Sequence, residues 1–387
     1  MDAAATYIAD VLVVGAGIVG VSCAYRLAER GLKVRVLEAA AAPAMGSTGK
    51  SAAGVRVQFS EPTNILLSWR SIQEYRQMPE AAYRPVGYLF LVPESEWPEH
   101  RKAVELQRSL EVPVEELGLE DAQHIVEFDP EGLAGATLGP ADGVVDPHGI
   151  TMEYLRRARA LGGALHPPAV AAQLHLETEL LRATRRGQVW NVETSRGTFE
   201  APFILNAAGA WAGEVGKRAG LEIPVQPARR LVFATAPTAW KHSYPLTIDL
   251  SSGFWFRSEG ERIIFGKSNL AEVGFSEGMD WAWLEPTLEA GLARFPWLAK
   301  TALDRKASWW GYYEVTPDHN PILGRMPGVE GWVNACGFSG HGVQQAATVG
   351  RLMAEEITEG RASTLNIDSL RYERFSSRAR VAERNIV

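Results

Sequence analysis

A glycine-rich turn between a short strand and a helix constrains this chain more than any other feature. Asp10-Val-Leu-Val-Val14 is a β-branched run of the kind that forms a buried parallel strand. Gly15-Ala-Gly17-Ile-Val-Gly20 follows at once, and Val21 to Arg30 carries Cys23, Ala24, Leu27 and Ala28 at helical spacing. Gly31 ends that helix, and Leu32 to Leu37 reads as a second strand closed by Glu38. Gly15 permits the tight turn, Gly17 lets backbone approach a pyrophosphate, and Gly20 lets helix and strand pack closely. Ile18 and Val19 open the helix, whose free N–H groups face the phosphates. Glu38, with Ala39 beside it, stands where a carboxylate accepts ribose hydroxyls and would repel a 2′-phosphate. The pattern predicts a dinucleotide fold and leaves NAD and FAD both open.

At 387 residues the chain has room for two or three domains, or two interleaved lobes, and 46% hydrophobic content is that of a globular core. A net charge of -7 does not favour nucleic acid as a partner. The nearest basic run is the tail, Arg371, Arg374, Arg378, Arg380 and Arg384, which Glu373 and Glu383 interrupt, and it reads as a solvated helix or frayed end. Two cysteines, Cys23 and Cys336, cannot build a disulfide framework or a zinc cluster and read as small buried hydrophobes, so no metal is expected. The N-terminus lacks a basic signal region, and no apolar run reaches membrane-spanning length, so the expectation is a cytoplasmic protein with no membrane partner.

Four later segments carry more chemistry. Gly46-Ser-Thr-Gly-Lys-Ser-Ala-Ala-Gly-Val-Arg56 is a loop of small and hydroxylic residues that lets backbone pass close to a flat ring. Gly163-Ala-Leu-His-Pro-Pro-Ala-Val170 approaches a strand, and Phe203-Ile-Leu-Asn-Ala-Ala-Gly-Ala-Trp211 is an apolar strand ending in a small-residue turn. Gly311-Tyr-Tyr-Glu-Val-Thr-Pro-Asp-His-Asn-Pro-Ile-Leu-Gly324 leads to Trp332-Val-Asn-Ala-Cys-Gly-Phe-Ser-Gly-His-Gly342, and a helix follows from Val343 to Ile357. A glycine-rich turn opening a helix is an anion site.

In these segments, taken in order, the chain resembles the glycine oxidase, sarcosine oxidase and D-amino-acid oxidase family of FAD-dependent amine oxidoreductases. The resemblance implies FAD rather than NAD, since the late glycine turn in that family faces the pyrimidine edge of the flavin. It implies cofactor contacts at Ser47, Thr48, Ser51, Ala52, Ala53, Gly54 and Val55, at Val170, at Ala208 and Gly209, and at Gly337, Phe338, Ser339, Gly340, His341, Gly342 and Val343. The cysteine that tethers FAD in monomeric sarcosine oxidases has no counterpart here, so the cofactor is expected to be non-covalent. His341 is read as a cofactor-side residue and not as a catalytic acid.

Between the FAD segments, Gly87 to Val92, Arg229 to Ala234, Gly253 to Arg257 and Arg262 to Gly266 alternate as antiparallel strands do. The predicted architecture is α/β: a Rossmann-like FAD-binding domain of residues 1–86, 145–218 and 322–387, and a smaller α+β, mostly antiparallel substrate domain of residues 87–144 and 219–321. Likeness to glycine oxidases points to Arg257 as the partner of a substrate carboxylate, and likeness to sarcosine oxidases points to Arg56. Gln344 stands where sarcosine oxidases carry a lysine, and Gly340 where glycine oxidases bring a second arginine, which argues against sarcosine and free glycine. Trp255 and Tyr313 are candidate pocket walls that favour an apolar arm on the substrate.

The implied reaction is oxidation of the C–N bond of a small amino acid or secondary amine, an N-substituted glycine above all, to an imine that hydrolyses to amine plus 2-oxo acid. No catalytic side chain is expected, because the flavin takes the hydride. Oxygen is the expected acceptor, with release of hydrogen peroxide. The alternatives are a dehydrogenase subunit that passes electrons to another carrier and, from a different class, a non-catalytic flavin-binding module.

Overall fold

Val11–Val14 lies in the middle of a six-stranded sheet because all four of its residues are apolar and can be buried on both faces. The computed structural model describes residues 6–164, 172–239, 243–376 and 382–383. The strand order is Ile322–Arg325, Trp332–Cys336, Phe203–Asn206, Val11–Val14, Val34–Leu37, Ala172–His175. Every neighbouring pair is parallel except the first, where Ile322–Arg325 runs against Trp332–Cys336. The helices Ile18–Glu29 and Gly342–Thr358 pack side by side beneath it. Gly350 makes that possible, since a Cβ there would fall 2.2 Å from Ser22 Oγ.

A second sheet of four strands, Thr6–Ile8, Gly197–Ala201, Val189–Thr194 and Leu180–Arg186, buries Trp190, Val192 and Phe199 against Leu12 and Trp332. The sequence reading did not single out this meander. Charged and polar residues such as Arg182, Arg185, Arg186 and Asn191 interrupt its apolar positions, so the alternation is faint.

The third sheet has eight strands in the order Trp309–Val315, Gln226–Ala234, Arg262–Lys267, Phe254–Glu259, Leu246–Asp249, Tyr88–Pro93, Leu133–Gly139, Glu115–Leu117. It is antiparallel except between Leu246–Asp249 and Tyr88–Pro93. Alternation sends Phe233, Phe254, Phe256 and Phe265 to one face, where Phe295 and Trp297 complete an aromatic core beside the helix Leu284–Arg294. The opposite face, with Tyr88, Leu246, Ile248 and Trp255, turns toward the six-stranded sheet. A small ladder, Gly54–Val55 against Gly143–Val144, joins the loop after Gly46 to this part of the chain.

Val170 lies outside the described residues, as do Arg378, Arg380 and Arg384. The reading of the tail as solvated needs correction at its start. Arg374 is buried and pairs with buried Asp318 at 2.7 Å, and Arg371 bonds the fully buried carboxylate of Glu356. Those two carboxylates sit in the core, and each is paired with a cation there. Among the described residues no helix is long and apolar enough to cross a membrane.

Replacing Gly350 with Val forces apart the two helices that carry the glycine-rich turns. The expected loss is about 1–3 kcal/mol of stability, read from the urea midpoint against that of the parent chain.

Candidate active site

The C-terminal ends of Val11–Val14, Val34–Leu37 and Phe203–Asn206 open into a cavity of about 680 Å³, roofed by the inner face of the eight-stranded sheet. Ile18–Glu29 starts at this wall from Gly17, with no side-chain cap and no acid in its first turn. Gly342–Thr358 starts from His341 in the same way. The positive ends of two helices therefore meet one cavity, a setting suited to anionic groups. Gly15 takes a left-handed φ of 104°, and a Cβ on it would strike Ala207 O at 2.4 Å, so glycine is required. Glu38 is held by two backbone donors, Ala16 N to Oε2 and Ala40 N to Oε1, each at 2.8 Å. Both oxygens retain lone pairs at the cavity edge, where Ala39 also stands.

The loop after Gly46 lines the next stretch, with Ser47, Thr48, Ser51, Ala52, Ala53 and Gly54 all in the wall. Its hydroxyls are partly committed within the chain. Thr48 Oγ1 accepts from Ile18 N at 3.1 Å, Ser47 Oγ donates to Tyr312 O at 2.7 Å, and Ser51 Oγ accepts from Ala53 N at 3.0 Å. Ala208 and Gly209 face the cavity from across it, and Gly340, His341, Gly342 and Val343 close it from the far helix.

Five of the expected contacts lie behind the wall. Gly20 packs under Gly15, whose carbonyl oxygen a Cβ would meet at 2.0 Å. Val55 turns into the core as the partner of Gly143. Gly337 donates its N–H to Glu314 Oε2 at 2.7 Å, Phe338 is fully buried, and Ser339 is buried with a left-handed φ of 51°. These three residues shape the turn that presents Gly340 to Gln344, and they do not themselves reach the space.

At the roof, two contacts fix the height of the chamber. The Tyr88 hydroxyl rests on Gly54, where a Cβ would fall 1.7 Å from it, and the Tyr313 ring rests on Gly340, where a Cβ would fall 2.3 Å away. Between them lie Leu246, Ile248 and Trp255, with Arg56, His341 and Gln344 opposite. Arg56 donates from Nη1 to Gln58 O, approaches His341 Nε2 with Nη2 at 3.3 Å, and lies 4.1 Å from the centroid of Phe59. Burial holds the His341 pKa well below the ordinary imidazole value, and Arg56 pushes it the same way, so the ring is neutral and accepts from the guanidinium. Gln344 Oε1 accepts from Arg56 N at 2.7 Å, so it fixes the backbone of this arginine.

Arg257 is the main correction. Its parity matches that of Trp255, but it sits two residues further along the strand, and its guanidinium is not in the cavity wall. Nη2 donates to Ala52 O at 2.7 Å, Nη1 donates to Ser258 O at 2.8 Å, and Glu259 supplies the counter-charge. Arg257 therefore ties the roof to the Ser51–Gly54 loop. The sequence reading missed Tyr88 and Arg230, which do line the chamber. Alternation along Gly87 to Val92 carried a signal for the first. For the second, adjacent Arg229 and Arg230 leave the inward one undecided.

Residues 10–356 match the family described as FAD dependent oxidoreductase. The chain belongs to this family. It is 33% identical to FAD-dependent oxidoreductase domain-containing protein 1 of Xenopus laevis, over 98% of this chain and 85% of that protein. It is 28% identical to the mitochondrial dimethylglycine dehydrogenase of Mus musculus, over 95% of this chain but only 45% of that protein. Among solved structures, the L-proline dehydrogenase of P. horikoshii superposes with a TM-score of 0.86 at 29% identity, covering 96% of this chain and 99% of that one.

FAD is accordingly the cofactor of this oxidoreductase, and the chain fits it on structural grounds. Two uncapped helix N-termini, a fixed carboxylate at Glu38 and a run of small residues line one continuous cavity. Cys23 and Cys336 are both free and buried, and neither lines that cavity.

Two measurements probe how this FAD oxidoreductase holds its site. Asp142 is fully buried and accepts from Val57 N at 2.8 Å and Gln58 Nε2 at 3.2 Å, which fixes the strand that follows Arg56. Burial raises its pKa to about 7, against a partial opposing pull from those donors and Arg56. The folded chain thus keeps a proton that the unfolded chain has lost, and stability falls as pH rises between about 4 and 7. In Asp142→Asn this fall becomes shallower, by on the order of 2 kcal/mol across the window, as read by urea unfolding at each pH. Arg257→Met frees Ala52 O and loosens the loop, so the FAD dissociation constant rises roughly tenfold in a flavin-fluorescence titration. Unchanged FAD affinity would remove Arg257 from this role.

Proposed function

We propose that this flavoenzyme oxidises the C–N bond of a small amino acid whose nitrogen carries a substituent, an N-substituted glycine or a cyclic equivalent, to an imine that water hydrolyses. The observation that carries this reading is the chamber itself. A buried arginine held by a neutral histidine faces apolar and aromatic side chains across a gap bounded by the Tyr88–Gly54 and Tyr313–Gly340 contacts. In the same reading Gly15, Gly17 and the start of Ile18–Glu29 hold the pyrophosphate, Glu38 holds the ribose, and Ser51, Ala52, Ala53, Gly54 and Gly340 to Val343 hold the ring non-covalently. Residues 87–144 and 219–321 serve as the substrate part and the remainder as the cofactor part. Bound FAD supplies the hydride acceptor.

The chain's own contribution is binding and electrostatics. Arg56 places positive charge beside the chamber, which disfavours a protonated amine and so favours the lone pair that assists hydride loss. Trp255, Leu246 and Ile248 offer an apolar surface to the substituent and exclude water. His341 is already bonded at Nε2 and orients Arg56, so it is a positioning residue. Relatives at 28% and 29% identity bear the names dimethylglycine dehydrogenase and L-proline dehydrogenase, both naming amino acids with a substituted nitrogen.

Those names favour a second electron carrier as the acceptor. Oxygen, with peroxide release, is the other reading, and a cation at the chamber edge, Lys267, is the feature in its favour. The test is the visible spectrum of the anaerobic protein titrated with N-methyl and N,N-dimethyl glycine, proline and primary amino acids. Bleaching by an N-substituted acid is the expected result, and rapid return of colour on admitting air would assign oxygen. A yellow protein that none of these bleaches would overturn the reading.

A further inference from the structure

Several wholly or partly buried arginines in this half of the chain have a carboxylate of their own. Arg229 pairs with Glu272 at 2.7 Å, Arg262 with Asp304 at 2.8 Å, Arg294 with Asp249 at 3.5 Å, and Arg257 with Glu259. Arg230 departs from the pattern. It stands in the cavity wall, and among the described residues no carboxylate lies within ion-pair distance of it.

Its geometry is set by strand register. Arg230 is opposite Gly311 and Ala228 is opposite Tyr313, and the guanidinium leans along the strand pair onto the Tyr313 ring, 5.2 Å from the centroid. Nη1 is used on two backbone carbonyls, Arg229 O at 3.0 Å and Asn269 O at 3.3 Å. Nε is buried and has no partner among the described residues, and Nη2 makes no hydrogen bond there. Nη2 is thus the nitrogen of Arg230 left without a hydrogen bond among the described residues, and a carboxylate can accept from it. Burial pulls the pKa of Arg230 below its ordinary value, as expected for a desolvated cation without a full counter-ion. The Tyr313 hydroxyl beside it likewise has no hydrogen-bond partner among the described residues.

We propose that Arg230 is the receptor for the substrate carboxylate, through Nη2 with Tyr313 beside it, and that the site selects amino acids bearing a single carboxylate. The restriction to one follows from Arg56, whose guanidinium already meets Gln58 O and His341. With the carboxylate on Arg230, the α-carbon lies over the Gly340–Gln344 turn and the nitrogen substituent turns toward Trp255, Ile248 and Leu246. This assignment rests on the amine-oxidation reading above.

The experiment uses the FAD-loaded protein and three flat probes that cannot lose hydride: pyrrole-2-carboxylate, pyrrole-2,5-dicarboxylate and pyrrole. Binding is read from the shift of the visible flavin bands, and FAD content is measured in every sample. The parent protein should bind the monocarboxylate more tightly than the dicarboxylate or pyrrole. Arg230→Met should weaken monocarboxylate binding roughly 10- to 100-fold while pyrrole binds as before. Arg230→Lys, which keeps the charge but lacks the fork, should fall between, and it carries the test if the methionine variant loses FAD. Parent-like affinity for pyrrole-2-carboxylate in either variant overturns the role of Arg230 and leaves amine oxidation standing. Tighter binding of the dicarboxylate overturns the single-carboxylate selection. A parent protein that contains FAD, is bleached by no amino acid and responds to no probe overturns both.

Discussion

The structure depends on two helices that begin without caps at the same place. Ile18–Glu29 and Gly342–Thr358 come from opposite ends of the chain, yet they lie in contact because Gly350 admits Ser22. Neither has an acid in its first turn or a side-chain bond from its own N-cap residue, and although Thr48 Oγ1 takes the Ile18 N–H, the positive ends of both helices add in one cavity. That field would be unfavourable for an empty pocket lined by cations and is favourable for a cofactor that carries phosphates and gathers negative charge on reduction. The six-stranded sheet serves this arrangement. It sets the two glycine-rich turns side by side at the C-terminal ends of its strands, where ligands of open α/β sheets are held.

The second constraint is the height of the roof. An eight-stranded sheet laid over a cavity of this size would close onto the floor if nothing spaced it. Tyr88 on Gly54 and Tyr313 on Gly340 act as two spacers, and each needs a glycine beneath it. Arg257 works in the opposite sense by tying the roof to Ala52. The chamber is the volume left between spacers and tie, which explains why residues remote in sequence decide its shape.

Electrostatics then divides the chamber walls. Arg56 is satisfied within the chain through Gln58, His341 and the ring of Phe59, and Asp142 fixes the backbone that follows it. Arg230 faces the same space with part of its fork unengaged. Two arginines at one chamber both attract a carboxylate and lower the basicity of an amine beside them. One feature thereby serves binding and chemistry together.

Much of this is legible in the sequence. Gly15, Gly17 and Glu38 work locally, through a turn, a close approach and a short reach, and local requirements leave a local mark. The same holds for Gly340 to Val343 at the start of the last helix, and for the alternation that builds the roof from residues such as Phe254 and Phe256. The four-stranded meander left little trace, because its charged edge residues blur the period of two. The behind-the-wall positions, Gly337 to Ser339, could not be told from their neighbours, since a glycine-rich turn reads alike whether its residues face a ligand or support those that do.

The sequence by itself determined that this chain builds a dinucleotide fold with a second, sheet-rich part, and it named segments that line the cavity. Only the tertiary structure decided which arginine enters the chamber. Alternation assigns a face and says nothing of distance along the strand, so Arg257 and Trp255 share a face while only Trp255 reaches the cavity. Between Arg229 and Arg230 the choice of face is set by pairing with the strand Trp309–Val315, which lies far away in the chain. The physical reason is that a guanidinium becomes a receptor through the partners its folded surroundings leave it, and for Arg230 those include no carboxylate at ion-pair distance among the described residues.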